Sequence, residues 1–212
     1  MIDLATARLI LEFTNSDYFG IRQTYYENIK QSVVGFLANT GSRVTAFQND
    51  ARQAMTESFP TAFYAGYADG GGDPDNVDPD DDAWLTARMN AETGFIGVTF
   101  QNMRQMKLPG DMSASDIDDQ GDQTATAYAN TLDGIYNEGK LRGAGNKMLV
   151  FAGEDGEESC QTCQKLKGQR HKASYWVSHG LVPGVPGNTN YICGGWNCQH
   201  YLEDKDGNLF TI

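Results

Sequence analysis

Two short stretches near the end of the chain, CQTC at residues 160–163 and CGGWNCQH at residues 193–200, decide the predicted fold. They contain all four cysteines of the 212 residues and one of the three histidines. Two cysteines three positions apart can point at one centre from a turn or from the first coil of a helix. Four nitrogen or sulfur ligands that converge in this way form a closed tetrahedral zinc site, which stabilises a module whose own core is too small.

The candidate ligands outnumber the four positions of such a site. On the sequence, zinc is held by Cys160, Cys163, Cys198 and either Cys193 or His200. The glycines at 194–195 suit a tight turn with positive φ between the last two cysteines. Trp176 and Trp196 are the large apolar side chains that could cover the thiolates and exclude water from them.

Two other readings of the cysteines stay open. An even number of cysteines would form two disulfides in a secreted domain, but residues 1–13 contain acidic side chains and do not resemble a signal peptide. The cysteines could also be free, partly buried thiols. We favour zinc and folding in a reducing cytoplasm, because zinc thiolates need reduced cysteines.

The composition narrows the classes of partner. The net charge is −12, of which residues 1–150 carry −10 and residues 151–212 carry −2. A strongly acidic chain is unlike a nucleic-acid-binding protein that works by neutralising phosphates. No apolar run approaches the ~20 residues needed to cross a bilayer, which predicts a protein without a membrane segment.

The first 147 residues are predicted to form a body of several helices, and residues 148–212 a small α+β module of the zinc-ribbon type. Apolar residues at three- to four-residue spacing and capping residues predict the helices. These are Tyr18–Leu37, a segment from Ser42 to Tyr67 kinked or restarted at Pro60, a segment from Asp80 ended by Pro109–Gly110, and a segment capped by Ser115 and ended by Gly143 and Gly145. Periodicity does not decide between a short helix and a strand at Ala5–Phe13, and we favour the helix. A strand over Met148–Ala152 and a terminal hairpin that turns at Asp206–Gly207 complete the module.

A solvated acidic loop is predicted at residues 69–82, where three consecutive glycines, two prolines and seven aspartates cannot pack into a core. Asp73, Asp75 and Asp78 are spaced loosely like calcium ligands. The terminal glutamate and the turn glycine of an EF-hand loop are missing, which favours a plain acidic loop. Asp80–Asp82 lie where negative charge stabilises the start of the next helix.

The cysteine stretches, with residues 150–155 and the turn at residues 166–168, resemble the C-terminal signature of minor head proteins of tailed bacteriophages, the group typified by the phage Mu F protein. In many members the signature ends in Gly-Gly-aromatic-Asn-Cys-Arg-His, and Gln199 replaces the arginine here. Residues 65–68 and 82–85 are also similar to the helical part that precedes the signature. The resemblance implies metal ligands at Cys160, Cys163, Cys198 and His200, with Cys193 as a more variable partner.

The resemblance also implies a role without catalysis. It predicts a virion or procapsid component, present in a few copies near the portal vertex, that acts in head morphogenesis or genome delivery. The expected partners are the portal protein, the major capsid protein, or both. A head–tail connector or neck component and a zinc-ribbon binding module are the alternatives.

No enzyme motif competes with this interpretation. The chain has no Gly-x-Ser-x-Gly, no phosphate-binding Gly-Lys-Ser/Thr and no His-Glu-x-x-His. The remaining enzyme hypothesis is a metal with an open position and His171 or His179 as acid or base, although loop histidines are the simpler reading. A small basic patch could also contact DNA weakly; it consists of Lys165, Lys167, Arg170 and Lys172.

Overall fold

The structure is a computed structural model that describes residues 18–39, 44–106, 112–154, 159–195 and 198–211. The predicted helix at residues 5–13, the helix start at Ser42, the stop at Pro109–Gly110 and Trp196 lie outside the described residues. In chain order the elements are α1 (Tyr18–Ala38), α2 (Val44–Gly70), a 3₁₀ turn (Pro74–Asn76), α3 (Pro79–Met106), α4 (Ala114–Ala144), β1 (Met148–Gly153), α5 (Gln161–Leu166), β2 (Arg170–Lys172), α6 (Ala173–Ser178) and β3 (His200–Glu203). The predicted fold class, mainly helical with a small C-terminal α+β module, is confirmed.

The chain packs as two compact units. Among the described residues, the helical unit comprises residues 18–61 and 78–129, and the C-terminal unit comprises residues 62–77 and 130–211. The cysteine module therefore shares a unit with the C-terminal ends of α2 and α4. The domain boundary predicted after residue 147 stays a prediction.

The helical unit is built from four helical segments with aromatic and aliphatic side chains between them. Phe36 of α1 packs edge-on against Phe100 of α3, with ring centroids 5.0 Å apart, and Tyr25 packs against Phe59 at 5.9 Å. At the surface of the same unit, Lys30 of α1 forms ion pairs with two aspartates of α4. Burial of large apolar side chains is the main source of stability in such a core.

Pro60 was predicted to kink or restart α2; it lies inside one continuous helix, so the restart is wrong and the kink stays a prediction. Proline removes one backbone hydrogen bond and costs about 3 kcal/mol in a helix interior. Phe59 and Phe63, on either side of it, are fully buried. The cost is offset by apolar burial on both sides of the proline, which sequence periodicity alone does not measure.

In the C-terminal unit, α2 and α4 approach each other through four glycines, which we call the glycine interface: Gly66, Gly70, Gly139 and Gly143. A Cβ atom on Gly139 would lie 2.1 Å from the backbone oxygen of Phe63. A Cβ on each of the other three would come as close to a carbonyl oxygen of the facing helix, at 2.0 or 2.1 Å. Each helix therefore carries a Gly-x-x-x-Gly pair, which allows backbone-to-backbone contact that no larger residue permits.

The predicted acidic loop is shorter than residues 69–82, because α2 continues to Gly70 and α3 begins at Pro79. Its aspartates serve as local caps. Asp73 accepts a hydrogen bond from the backbone N–H of Asp75, and Asp78 accepts one from that of Asp80. Asp80–Asp82 lie in the first turn of α3, as predicted, where their charge favours the helix start.

The cap of α4 is Ser113, and the prediction of Ser115 was wrong. The Asp116 backbone N–H donates to Ser113 Oγ, while the Ser113 N–H donates to the Asp116 carboxylate at 2.9 Å. This reciprocal pair is a capping box with aspartate in the place of glutamate. Ser113 and Ser115 both lie shortly before Asp116, and only the backbone geometry shows which of them is the cap.

The module is organised around a three-stranded antiparallel sheet with the order β2-β1-β3. Leu149 and Phe151 of β1 face a buried core that also contains Trp176 of α6 and Leu202 of β3. The predicted terminal hairpin is confirmed by the bridge between Glu203 and Leu209. In the described parts of the chain, no helix combines the length and the apolar character that a membrane crossing requires.

Candidate metal centre

The first two candidate ligands lie at the start of helix α5. Cys160 is the residue before the helix, with extended backbone dihedrals, and Cys163 lies within its first turn. Cys163 is 1% exposed and belongs to the module core, because Leu166 on the same helix face anchors α5 against the sheet. The CQTC stretch therefore presents both thiols from one helical turn, as its spacing predicted.

The third cysteine is held in a tight turn whose glycines are required. Gly194 and Gly195 have φ values of 65° and 75°, in the left-handed region that L side chains rarely adopt. A Cβ on Gly195 would also lie 2.0 Å from the backbone oxygen of Val185. The prediction of positive φ at residues 194–195 is confirmed. The turn fixes the direction of the Cys193 side chain.

His200 reaches the cluster from the sheet, and Cys198 lies two residues before it. His200 is the first residue of β3 and pairs with Gly153 at the end of β1. Gly153 has φ 135°, and a Cβ there would lie 2.8 Å from the His200 Cα. The imidazole stacks on the Phe151 ring at 5.5 Å, which sets the orientation of the histidine. Gly153 was not singled out in the sequence, although a glycine that ends an apolar strand marks close backbone approach.

All five predicted ligands come together. The Sγ atoms of Cys160 and Cys163 are 3.4 Å apart, and those of Cys163 and Cys198 are 3.9 Å apart. Two sets of three residues each have ligand atoms within 4.8 Å of one another, and they share Cys163. The sets are Cys160, Cys163, Cys193 and Cys163, Cys198, His200. Among the described residues, this cluster could hold a metal ion.

The cysteines are not joined by disulfides. All four are free thiols, and the two sulfur–sulfur separations given above far exceed the roughly 2.05 Å of an S–S bond. The pairwise separations instead match the edge of a metal coordination polyhedron. Four sulfurs at 2.3 Å from a central zinc lie about 3.8 Å from one another, and the two observed distances bracket that value.

The electrostatics of the cluster show why it suits a cation. Burial raises the pKa of the Cys160 thiol, but hydrogen bonds from the backbone N–H groups of Cys163 and Cys193 and from their thiols lower it to about 6. Burial and the neighbouring Cys160 and Cys198 raise the pKa of Cys163, and burial raises that of Cys193. Several thiolates at this spacing repel one another, so a divalent cation is the species that would let them ionise together.

Two aromatic residues of the module, Trp176 and Tyr191, are buried in the same core as Cys163. The role of Trp176 in covering the thiolates stays a prediction. Burial and the nearby charges of Cys198 and Cys163 raise the pKa of Tyr191, which the sequence analysis did not single out. In the sequence, the position of Tyr191 two residues before Cys193 was the feature that could have indicated its place near the thiols.

His171 and His179 belong to neither set of possible metal ligands. Their imidazole rings stack on the two sides of Tyr175, with ring centroids 3.8 Å and 4.0 Å from the tyrosine centroid. His179 also contacts the Tyr175 backbone oxygen through Nδ1 at 2.9 Å. The two histidines therefore form an aromatic column with Tyr175 at the surface of the module.

No protein-family model, curated protein or solved structure matches the chain. The resemblance to minor head proteins of tailed phages stays a prediction.

Proposed function

We propose that the cluster holds one structural zinc ion that stabilises the C-terminal module. The zinc ligands are Cys160, Cys163, Cys198 and either Cys193 or His200. The donor set supports this choice, because thiolates with an imidazole select zinc over magnesium and calcium, which take oxygen ligands. The 3.4 Å and 3.9 Å sulfur separations support a small tetrahedral site.

Zinc in a closed set of four ligands supplies folding free energy rather than catalysis. The module has short elements, with strands of six, three and four residues and two helices of six residues. Segments of this length are marginal by themselves in water. An X-ray absorption measurement that counts sulfur neighbours decides the fourth ligand: four sulfurs indicate Cys193, and three sulfurs with one nitrogen indicate His200.

The whole chain acts, in this proposal, as a structural protein of a tailed-phage particle. It is a minor head protein near the portal vertex that functions in head morphogenesis or genome delivery. The observation that carries the proposal is the convergence of the signature residues Cys160, Cys163, Cys198 and His200 on one centre. A set of spaced motifs that close into one site is more informative than each motif by itself.

The long helices of the remaining chain support a structural role. α3 and α4 contain 28 and 31 residues, which at 1.5 Å per residue corresponds to rods of roughly 42–47 Å. Rods of this length can span the surface of a neighbouring subunit. The expected partners are the portal protein, the major capsid protein, or both. Several copies of the chain are expected in one assembly.

Mass spectrometry of purified particles tests the proposed role. Virions and procapsids of the phage that encodes the chain should contain it, at fewer copies than the major capsid protein. Peptides of the major capsid protein in the same digest are the internal control. Absence of the chain from both virions and procapsids, with good coverage of the capsid protein, would contradict the role and leave the zinc proposal untouched.

A further inference from the structure

Acidic and basic side chains are separated along the chain more sharply than the net charges of residues 1–150 and 151–212 show. Residues 159–202 contain no aspartate or glutamate and four cations, so the remaining 168 residues hold all 28 acids and only 12 cations. The four cations are Lys165, Lys167, Arg170 and Lys172. All four are exposed, which places a local positive surface on a chain of net charge −12.

The positive surface is concentrated at the edge of the sheet. β2 is an edge strand, and Arg170 and Lys172 lie on it opposite Val150 and Met148 of β1. Alternate residues of a strand point to the same face, so the two cations share a face at a spacing of about 7 Å. That spacing is close to the distance between successive phosphates of an extended nucleic-acid strand.

The aromatic column starts in β2, between these cations in sequence and on the other face of the strand. His171 is between Arg170 and Lys172 in β2, and it points to the opposite face, with Leu149 as its register partner. Its ring stacks on Tyr175 with an interplanar angle of 18°, and His179 continues the column at 28°. His179 at the end of the column is exposed. A planar ring of a ligand can continue such a stack at its exposed end.

Of the described residues, Glu203 lies in the sheet and Glu154 directly follows β1, and both carry a carboxylate. Glu203 pairs with Val150 from the far side of β1, so its Cα lies two strand spacings, roughly 10 Å, from that of Arg170. This separation is about one Debye length at physiological salt, which weakens its effect on the cations. Glu154 follows β1 and starts the acidic run EDGEE at 154–158, most of which lies outside the described residues.

We propose that the edge formed by α5, β2 and α6 binds single-stranded nucleic acid. Lysine and arginine contact the phosphates, and an unpaired base stacks on the column of His171, Tyr175 and His179. Cations that contact the backbone, together with aromatic rings on which bases stack, are the features that bind single strands without sequence preference. A duplex covers the faces of its bases and can use only the phosphate contacts. This inference does not depend on a role in a virion.

Fluorescence anisotropy with a labelled oligothymidine of about 20 nucleotides tests the proposal, using the full chain at about 50 mM salt. We expect binding whose affinity falls with salt at a log–log slope of roughly −2 to −3, as contacts to three or four phosphates predict. The double variant Arg170→Glu/Lys172→Glu should weaken binding about tenfold or more. Lys205→Glu is the matched control, because Lys205 is an exposed cation outside the edge and should change affinity little.

A second variant tests the stacking step separately. His179→Ala should weaken binding of the single strand about fivefold or more, as the loss of one stacked base predicts, and leave any duplex binding unchanged. Circular dichroism and metal content must match the wild type for each variant. Three results would overturn the proposal: no binding at low salt, equal effects of the charge reversal and of Lys205→Glu, or equal displacement by polyglutamate and by unlabelled oligothymidine.

Discussion

The helical unit and the cysteine module are stabilised in different ways. The helical unit buries aromatic side chains between long helices, with Tyr25, Phe36 and Phe59 at 0–1% exposure. The module has the fully buried Trp176 and Phe151, but its strands and helices are six residues or shorter. Long amphipathic helices form a core from their own side chains, whereas short segments need a cross-link. A metal-dependent half and a metal-independent half are therefore expected in one chain.

Removal of the ligand that both sets share should have the largest effect on the difference in stability between the two units. We expect wild-type protein to contain one zinc per chain and Cys163→Ser to contain none, because Cys163 belongs to both sets of ligands. Most of the ~10 kcal/mol that structural zinc supplies is then lost, and β1 and β3 unfold while α1 and α3 stay protected. Metal analysis and hydrogen exchange measure both effects.

Gln161→Ser, at an exposed position of the same helix, is the control for the cysteine change. It should keep its zinc and its exchange protection. A metal-free wild-type chain with a protected module, or unfolding of both units together in Cys163→Ser, would show that the two units are not stabilised in different ways.

A substitution in the glycine interface should have a smaller effect on stability than the loss of a metal ligand. Gly139→Ala places a methyl group 2.1 Å from the Phe63 backbone oxygen, so the helices must separate. We expect a loss of about 3 kcal/mol, at the upper end of the usual cost of overpacking, measured by urea unfolding. Gly94→Ala is the matched control, because a Cβ there meets nothing within 4 Å. It should stabilise α3 by about 0.5–1 kcal/mol, and equal effects of the two changes would contradict the interface.

The cap of α4 gives the smallest expected effect. Ser113→Ala removes the side chain that accepts the Asp116 N–H, and it should cost about 1 kcal/mol of unfolding free energy. Ser115→Ala should change stability by less than about half of that, since alanine is a good helix former inside the first turn. The difference between the two melting temperatures is the measurement. A larger loss of unfolding free energy for Ser115→Ala than for Ser113→Ala would show that Ser115 is the cap, as the sequence predicted.

The helices and the ligands were predictable because their signals are local. α1 was predicted at Tyr18–Leu37 and lies at Tyr18–Ala38, since apolar spacing and the terminal residues act within a few turns. The five ligands were recognisable because spacing restricts how cysteines and a histidine can meet. The turn beside Cys193 has positive φ at residues 194–195, which the glycines also indicated.

The sequence was less informative where distant parts of the chain decide the outcome. At Pro60 it predicted a kink or a restart, and the structure shows that α2 continues through the proline, with Phe59 and Phe63 buried on either side. The predicted end of α4 at Gly143 and Gly145 is confirmed, since α4 ends at Ala144, but the sequence did not indicate that Gly143 contacts the Tyr67 backbone across the glycine interface. The total charge of −12 disfavours a nucleic-acid partner, and that expectation stays a prediction beside the proposal for the acid-free residues 159–202.

The sequence by itself determined the long helices, the candidate ligands and the total charge, because each depends on residues that are near in the chain or on composition. Only the tertiary structure decided which glycines meet another backbone, that β2 is an edge strand, and that His171, Tyr175 and His179 form one column. These features depend on contacts between segments far apart in sequence or on the packing of a strand against a helix. Local patterns do not specify those contacts, since the same spacing fits many arrangements of neighbouring elements.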